Sequence, residues 1–122
     1  MNRKNFIITT LALTFVLLYS TVAYALITTS YSLIYTGSTM EGYVISSTDE
    51  PTVDEIGLRG WFYKDDVLVD QGADSFEPPY AQYDMTASNS FGTQNWRVSG
   101  AHSFVVDNIV VKNEVSSTTC QY

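Results

Sequence analysis

His102 is the only histidine in the chain, so a nucleophile–base pair or an imidazole metal site would have to be assembled on it. Its position argues against both. On a strand running from Gln94 to Val106, alternation places His102 on the line of Trp96, Val98 and Phe104, while Arg97, Ser99 and Ser103 fall on the other side. The line that carries Trp96 is the core line, so His102 reads as a structural imidazole held by hydrogen bonds. Ser99 and Ser103 point the wrong way to be activated by it. No catalytic residue is expected, and the chain reads as a non-enzyme.

Carboxylates offer the next chemistry. Asp65, Asp66, Asp70 and Asp74 flank one hairpin, and oxygen ligands at loop ends are how calcium is held. Their spacing lacks the central Gly and terminal Glu of a calcium loop, so they read as solvated turn residues. No metal and no other cofactor is expected. Asp54-Glu55 could join a glycosidase-like pair only across a tertiary cleft, which a domain of this size rarely forms.

A third group offers contact chemistry instead. Ile56 to Gln71 carries two alternating runs that meet at Asp65-Asp66, a dipeptide that tolerates the positive φ of a two-residue hairpin turn. If Trp61 pointed into the core, alternation would bring Arg59 in with it, and an unpaired buried guanidinium is too costly. Ile56, Leu58 and Phe62 are therefore expected to face inward, and Arg59, Trp61 and Tyr63 outward. Should this strand, the Trp96 strand and the last strand be neighbours, Arg59, Trp61, Tyr63, Arg97, Ser99, Val110 and Lys112 share one surface. Flat rings bordered by guanidinium groups supply area, stacking and directed donors. The candidate ligand-binding set is thus Arg59, Trp61, Tyr63, Arg97 and Lys112. The competing reading is an ordinary outer sheet face with Arg stems lying across aromatic rings.

Cys120 is the only cysteine, which excludes an intrachain disulfide. Placed in a polar tail, Ser116 to Tyr122, it is the one thiol able to link two copies into a disulfide-linked dimer.

The elements that must position these residues are short strands. Ser30 to Thr36 alternates Tyr31, Leu33 and Tyr35 with small polar residues, and Met40 to Ser47 follows after a Gly37-Ser38 turn. After the hairpin, Gly72 to Pro79 reads as an acidic linker, because Pro78-Pro79 cannot continue a central strand. Tyr80 to Ala87 and Gln94 to Val106 resume alternation, and Gly100 marks a bulge or a close backbone approach. Asp107-Asn108 is a second tight turn, and Ile109 to Val115 is the last strand, with Ile109 and Val111 inward and Val110 and Lys112 outward. The fold class is all-β: a small antiparallel β-sandwich of about seven strands. In strand count and spacing this layout resembles immunoglobulin-like and fibronectin-type sandwiches. The paired cysteines of immunoglobulin domains are absent, so no functional residue carries over from that resemblance.

The chain has 122 residues and a formal net charge of −7. Arg3 and Lys4, an apolar run from Phe6 to Tyr19, and Ala23-Tyr24-Ala25 have the order of a secretory signal peptide. The expected division is a signal over residues 1–25 and a single domain over residues 26–122, with no membrane association after cleavage. Without Arg3 and Lys4, four basic residues remain of the six against thirteen acidic ones, a balance that excludes nucleic acid as a partner. The expected function is a small secreted or cell-surface interaction module that binds a protein or a glycan. The alternative is a small secreted antagonist, either a bacteriocin-like toxin or a protease inhibitor. A toxin aimed at anionic membranes would need positive charge, which this chain lacks.

Overall fold

The computed structural model describes residues 26–122, and the expected signal segment lies outside them. Seven strands follow one another: β1 (Thr28–Tyr35), β2 (Thr39–Thr48), β3 (Glu55–Lys64), β4 (Val67–Phe76), β5 (Tyr80–Ser88), β6 (Asn95–Val106) and β7 (Ile109–Gln121). They form two antiparallel sheets, β1-β2-β5 and β4-β3-β6-β7, which pack face to face as a sandwich. Among the described residues no helix is long and apolar enough to cross a membrane.

The two acidic dipeptides set the hairpins. Asp65 and Asp66 have φ of 47° and 62°, and Asp107 and Asn108 have φ of 50° and 63°. Two consecutive left-handed residues make the turn whose twist matches the flanking strands, and Asp and Asn adopt that conformation at low cost.

Between the sheets lies an apolar core of Met40 and Val44 from β2, Ile56, Leu58 and Phe62 from β3, Met85 from β5, and Trp96, Val98 and Phe104 from β6. The rings of Phe62 and Trp96 pack 5.3 Å apart. The facing argued from Arg59 holds, since Ile56 and Phe62 are fully buried and Arg59 is exposed. Gly60 and Gly100 are direct cross-strand partners on the inner face. A Cβ on Gly60 would lie 2.6 Å from Met85 Cε, and one on Gly100 would lie 2.7 Å from Val44 Cγ1. The pair therefore leaves the hollow into which the opposite sheet seats Met85 and Val44, and the close-approach reading of Gly100 is the correct one.

Two boundaries differ from the sequence reading. Gly72 to Phe76 is not a linker: it continues β4, with Gly72 opposite Gly60, Ala73 opposite Arg59 and Ser75 opposite Gly57. Small residues suit this stretch because Tyr83 of β5 lies directly over Gly72, where a Cβ would collide with the phenol. The Asp70 and Asp74 carboxylates each accept the next residue's backbone N–H at 2.8 Å, which caps donors on a free sheet edge. Likewise Ser116 to Gln121 is strand, not tail. Its inner row of Ser116, Thr118 and Cys120 is half-buried, and Thr118 Oγ1 donates to Ser32 O at 2.7 Å. Polar composition conceals the end of β7 because its side-chain partner comes from β1, 86 positions away.

Candidate functional site

β3, β6 and β7 are neighbours, so the condition for a shared outer surface is met. On it, Trp61 lies between Gln71 of β4 and Ser99 of β6, and Tyr63 pairs with Arg97. The Arg97 guanidinium stands 4.3 Å from the centre of the Tyr63 ring, and the Arg59 guanidinium 5.2 Å from that of Trp61. Both rings are half-buried beneath these stacks, each of which contributes about 0.5–1 kcal/mol at an exposed site.

The two stacks differ in what the cation does next. Arg97 reaches Asp66 at 3.5 Å, a surface pair of small value because Asp66 is 91% exposed. Arg59 has neither an ion pair nor a hydrogen-bond acceptor among the described residues. Beside it lies a shallow depression of about 570 Å³, floored by the outward residues Gly57, Ala73, Ser75, Ala101 and Ser103 and bounded by Asn113 and Val115. Short side chains at alternate positions of three adjacent strands leave this space. In the sequence the signal of this hollow is the alternation of Gly, Ala and Ser at these positions.

Lys112 does not belong to this face. A bulge between Phe104 and Val105 shifts the register, so that Val105 pairs with Val110 while Phe104 pairs with Lys112. The extra residue turns Lys112 inward with Phe104, opposite to the expected facing. Its Nζ donates to Leu26 O at 3.2 Å and pairs with Glu114 at 3.0 Å. Burial alone would raise the Glu114 carboxyl, but hydrogen bonds from Thr28 and Lys112 outweigh it and hold that carboxyl below its usual range.

Cys120 is also misplaced by the sequence reading. It sits on β7 opposite Trp96, half-buried against the core, and not in a flexible tail. Burial pushes its thiol up, away from the thiolate form that reacts.

His102 is 1% exposed. Its Nδ1 lies 2.6 Å from Ser46 Oγ and its Nε2 2.8 Å from Ser116 Oγ, and Ser46 lies 3.1 Å from Ser30. The chain of hydroxyls ties β1 and β2 to β6 and β7 through the sandwich. Burial pulls the imidazole below its ordinary value, with the Glu114 charge opposing. Ser46 is fully buried, so this Ser–His contact is a polar link inside the core. Sequence reading found the facing of His102 but neither partner, since Ser46 is 56 positions away.

The turn carboxylates act on backbone. Asp54 accepts from Asp107 N at 2.7 Å and Asp65 from Asn95 N at 2.8 Å, each bridging two loops.

No family model matches the chain, and no curated protein matches it. Among solved structures it is similar to a protein from Archaeoglobus fulgidus, with 14% identity, a TM-score of 0.47, and coverage of 79% of this chain and 94% of that one. It is similar to the CARDB domain of a Pyrococcus furiosus protein in complex with di-metal ions, with 13% identity, a TM-score of 0.47, and coverage of 77% of this chain and 90% of that one. A third likeness is to a Bacteroides uniformis β-glucuronidase, at 11% identity and a TM-score of 0.47 over 75% of this chain and 12% of that one. At these identities no residue role passes from any of them to this chain.

Proposed function

We propose that the protein is a non-enzymatic interaction module, exported from the cell, that binds a protein or a glycan through the outer face of the β4-β3-β6-β7 sheet. One observation carries this reading. Arg59 is stacked on Trp61, lacks an acceptor among the described residues, and borders an open depression, although the chain holds thirteen carboxylates that could have neutralised it. A guanidinium kept solvated and oriented on a ring presents donors to something outside the molecule. Trp61 supplies the flat area, and Ser103 and Asn113 add hydroxyl and amide groups that can both donate and accept. Arg97, stacked on Tyr63, borders the far end of the face. Lys112 is no part of it.

The test compares wild type with Trp61→Ala and Arg59→Gln on a glycan array and in a pull-down from the surface proteins of the producing cell. Loss of a common set of ligands, with thermal unfolding nearly unchanged, supports the reading. Retention equal to wild type on every ligand rejects this face as the site.

A further inference from the structure

The opposite outer face, on the β1-β2-β5 sheet, has a different chemistry. None of its strands contains Lys or Arg, so the four cations of the described residues lie on the other sheet. What the face does carry is tyrosine: Tyr31 is 39%, Tyr80 51% and Tyr35 58% exposed. The side chains are mutually fixed. Tyr35 and Tyr43 meet edge to face at 5.3 Å, and the Tyr43 hydroxyl donates to Glu41 at 2.7 Å. Tyr80 donates to Gln82 at 2.7 Å, and the Gln82 amide donates to Asp84 at 2.8 Å. Two carboxylates are thus held among the rings, and the negative field they create is felt in the Tyr43 phenol, which is pushed up to about 12, first by its bond to Glu41.

We propose that this tyrosine and carboxylate face is a docking surface for an extended protein segment bearing spaced arginines. The warrant is complementarity of charge and shape. Tyrosine offers rigid ring area at low entropic cost, and its face attracts a guanidinium, which also pairs in a fork with a carboxylate held nearby. The rings are too dispersed to cage one small cation: Tyr31 and Tyr35 lie four positions apart on β1, about 13 Å. Arginines four positions apart in an extended segment match that spacing. This site is independent of the Arg59 face, and neither proposal requires the other.

The probe is a synthetic ten-residue Gly/Ser peptide with arginine at every fourth position, measured against a peptide in which neutral citrulline replaces each arginine. Ring resonances of Tyr31, Tyr35 and Tyr80 should shift on titration with the arginine peptide, and citrulline should weaken binding by about tenfold or more. Tyr35→Ala and Glu41→Gln should each weaken it several-fold. Asp107→Asn, which removes one exposed charge from the β6–β7 turn of the other sheet, should leave it unchanged. Three results overturn the proposal: no binding to wild type, equal binding of the citrulline peptide, or a loss with Asp107→Asn as large as with Glu41→Gln. The last would mean that the peptide responds only to net charge.

Discussion

The two tryptophans stand on opposite faces of one sheet, on adjacent strands and three positions apart in register, and they do different work. Lys64 of β3 pairs with Trp96, while Trp61 pairs with Ser99 three residues along β6. Trp96 is 1% exposed and packs on Phe62, with Lys64 over its ring at 5.7 Å. Trp61 lies half-buried under a guanidinium, surrounded by Ser, Gln and Arg. What separates them is the neighbour at i±2: alternation ties Trp96 to Val98 and Trp61 to Arg59. A large aromatic residue therefore does not choose its face alone, and the polar member of its line decides.

The sharpest way to break this comparison is to truncate both rings. Trp96→Ala should cost about 3–5 kcal/mol, enough to unfold much of a domain this small, as read by chemical denaturation. If Trp61→Ala proved equally damaging, the assignment of one ring to structure and the other to contact would fail. Next in size is the glycine hollow. A methyl group on Gly100 would meet Val44, Ser116 and His102 at 2.7, 2.7 and 3.0 Å, so Gly100→Ala should cost about 1–3 kcal/mol through overpacking. An unchanged melting temperature would show that the sheets separate freely there.

The pH dependence tests the inner face in a different way. The folded-state pKa of His102 is depressed by burial, so below the unfolded value of about 6.5 the unfolded chain binds a proton that the folded chain resists. Stability should be complete above that pH and fall as the pH drops toward the folded pKa. Denaturation midpoints between pH 7.5 and 5 measure the slope, and His102→Gln should flatten it whatever its effect on the midpoint itself. Glu114, also depressed, acts lower: its contribution is present above about 4.5 and is lost as the pH falls through its folded pKa. The smallest effect belongs to the outer face. Trp61→Ala should change stability by about 1 kcal/mol or less, the scale of a surface substitution that also loses one exposed cation–π contact. The same variant should show its effect in binding.

Much of the arrangement was legible from local pattern. Both hairpin turns, the strand count, and the inward facing of Ile56, Leu58, Phe62, Trp96 and His102 follow from alternation and from Asp-Asp and Asp-Asn dipeptides. Of the candidate site, Arg59, Trp61, Tyr63 and Arg97 were brought together as expected, because they lie on regular stretches of β3 and β6. Lys112 was not, because one bulge residue reverses the facing of everything after it. On β1 the apolar line itself misleads: Tyr31 and Tyr35 face solvent while Ser32 is buried, its hydroxyl 2.9 Å from that of Thr118.

By itself the sequence determined what a period of two and a turn dipeptide can determine, namely which residues form strands, where they reverse, and which side of a regular strand is apolar. Those are short-range properties, set by backbone sterics and by the cost of burying a lone charge. Only the tertiary structure decided where β4 and β7 end, which way Lys112 points, and which sheet face holds the tyrosines. They depend on a bulge in one strand, as for Lys112, or on a group supplied by another strand, such as Ser32 for Thr118, Val44 for Gly100 and Tyr83 for Gly72. A polar residue is inside or outside according to whether its partner arrives, and that is a property of the assembled sandwich.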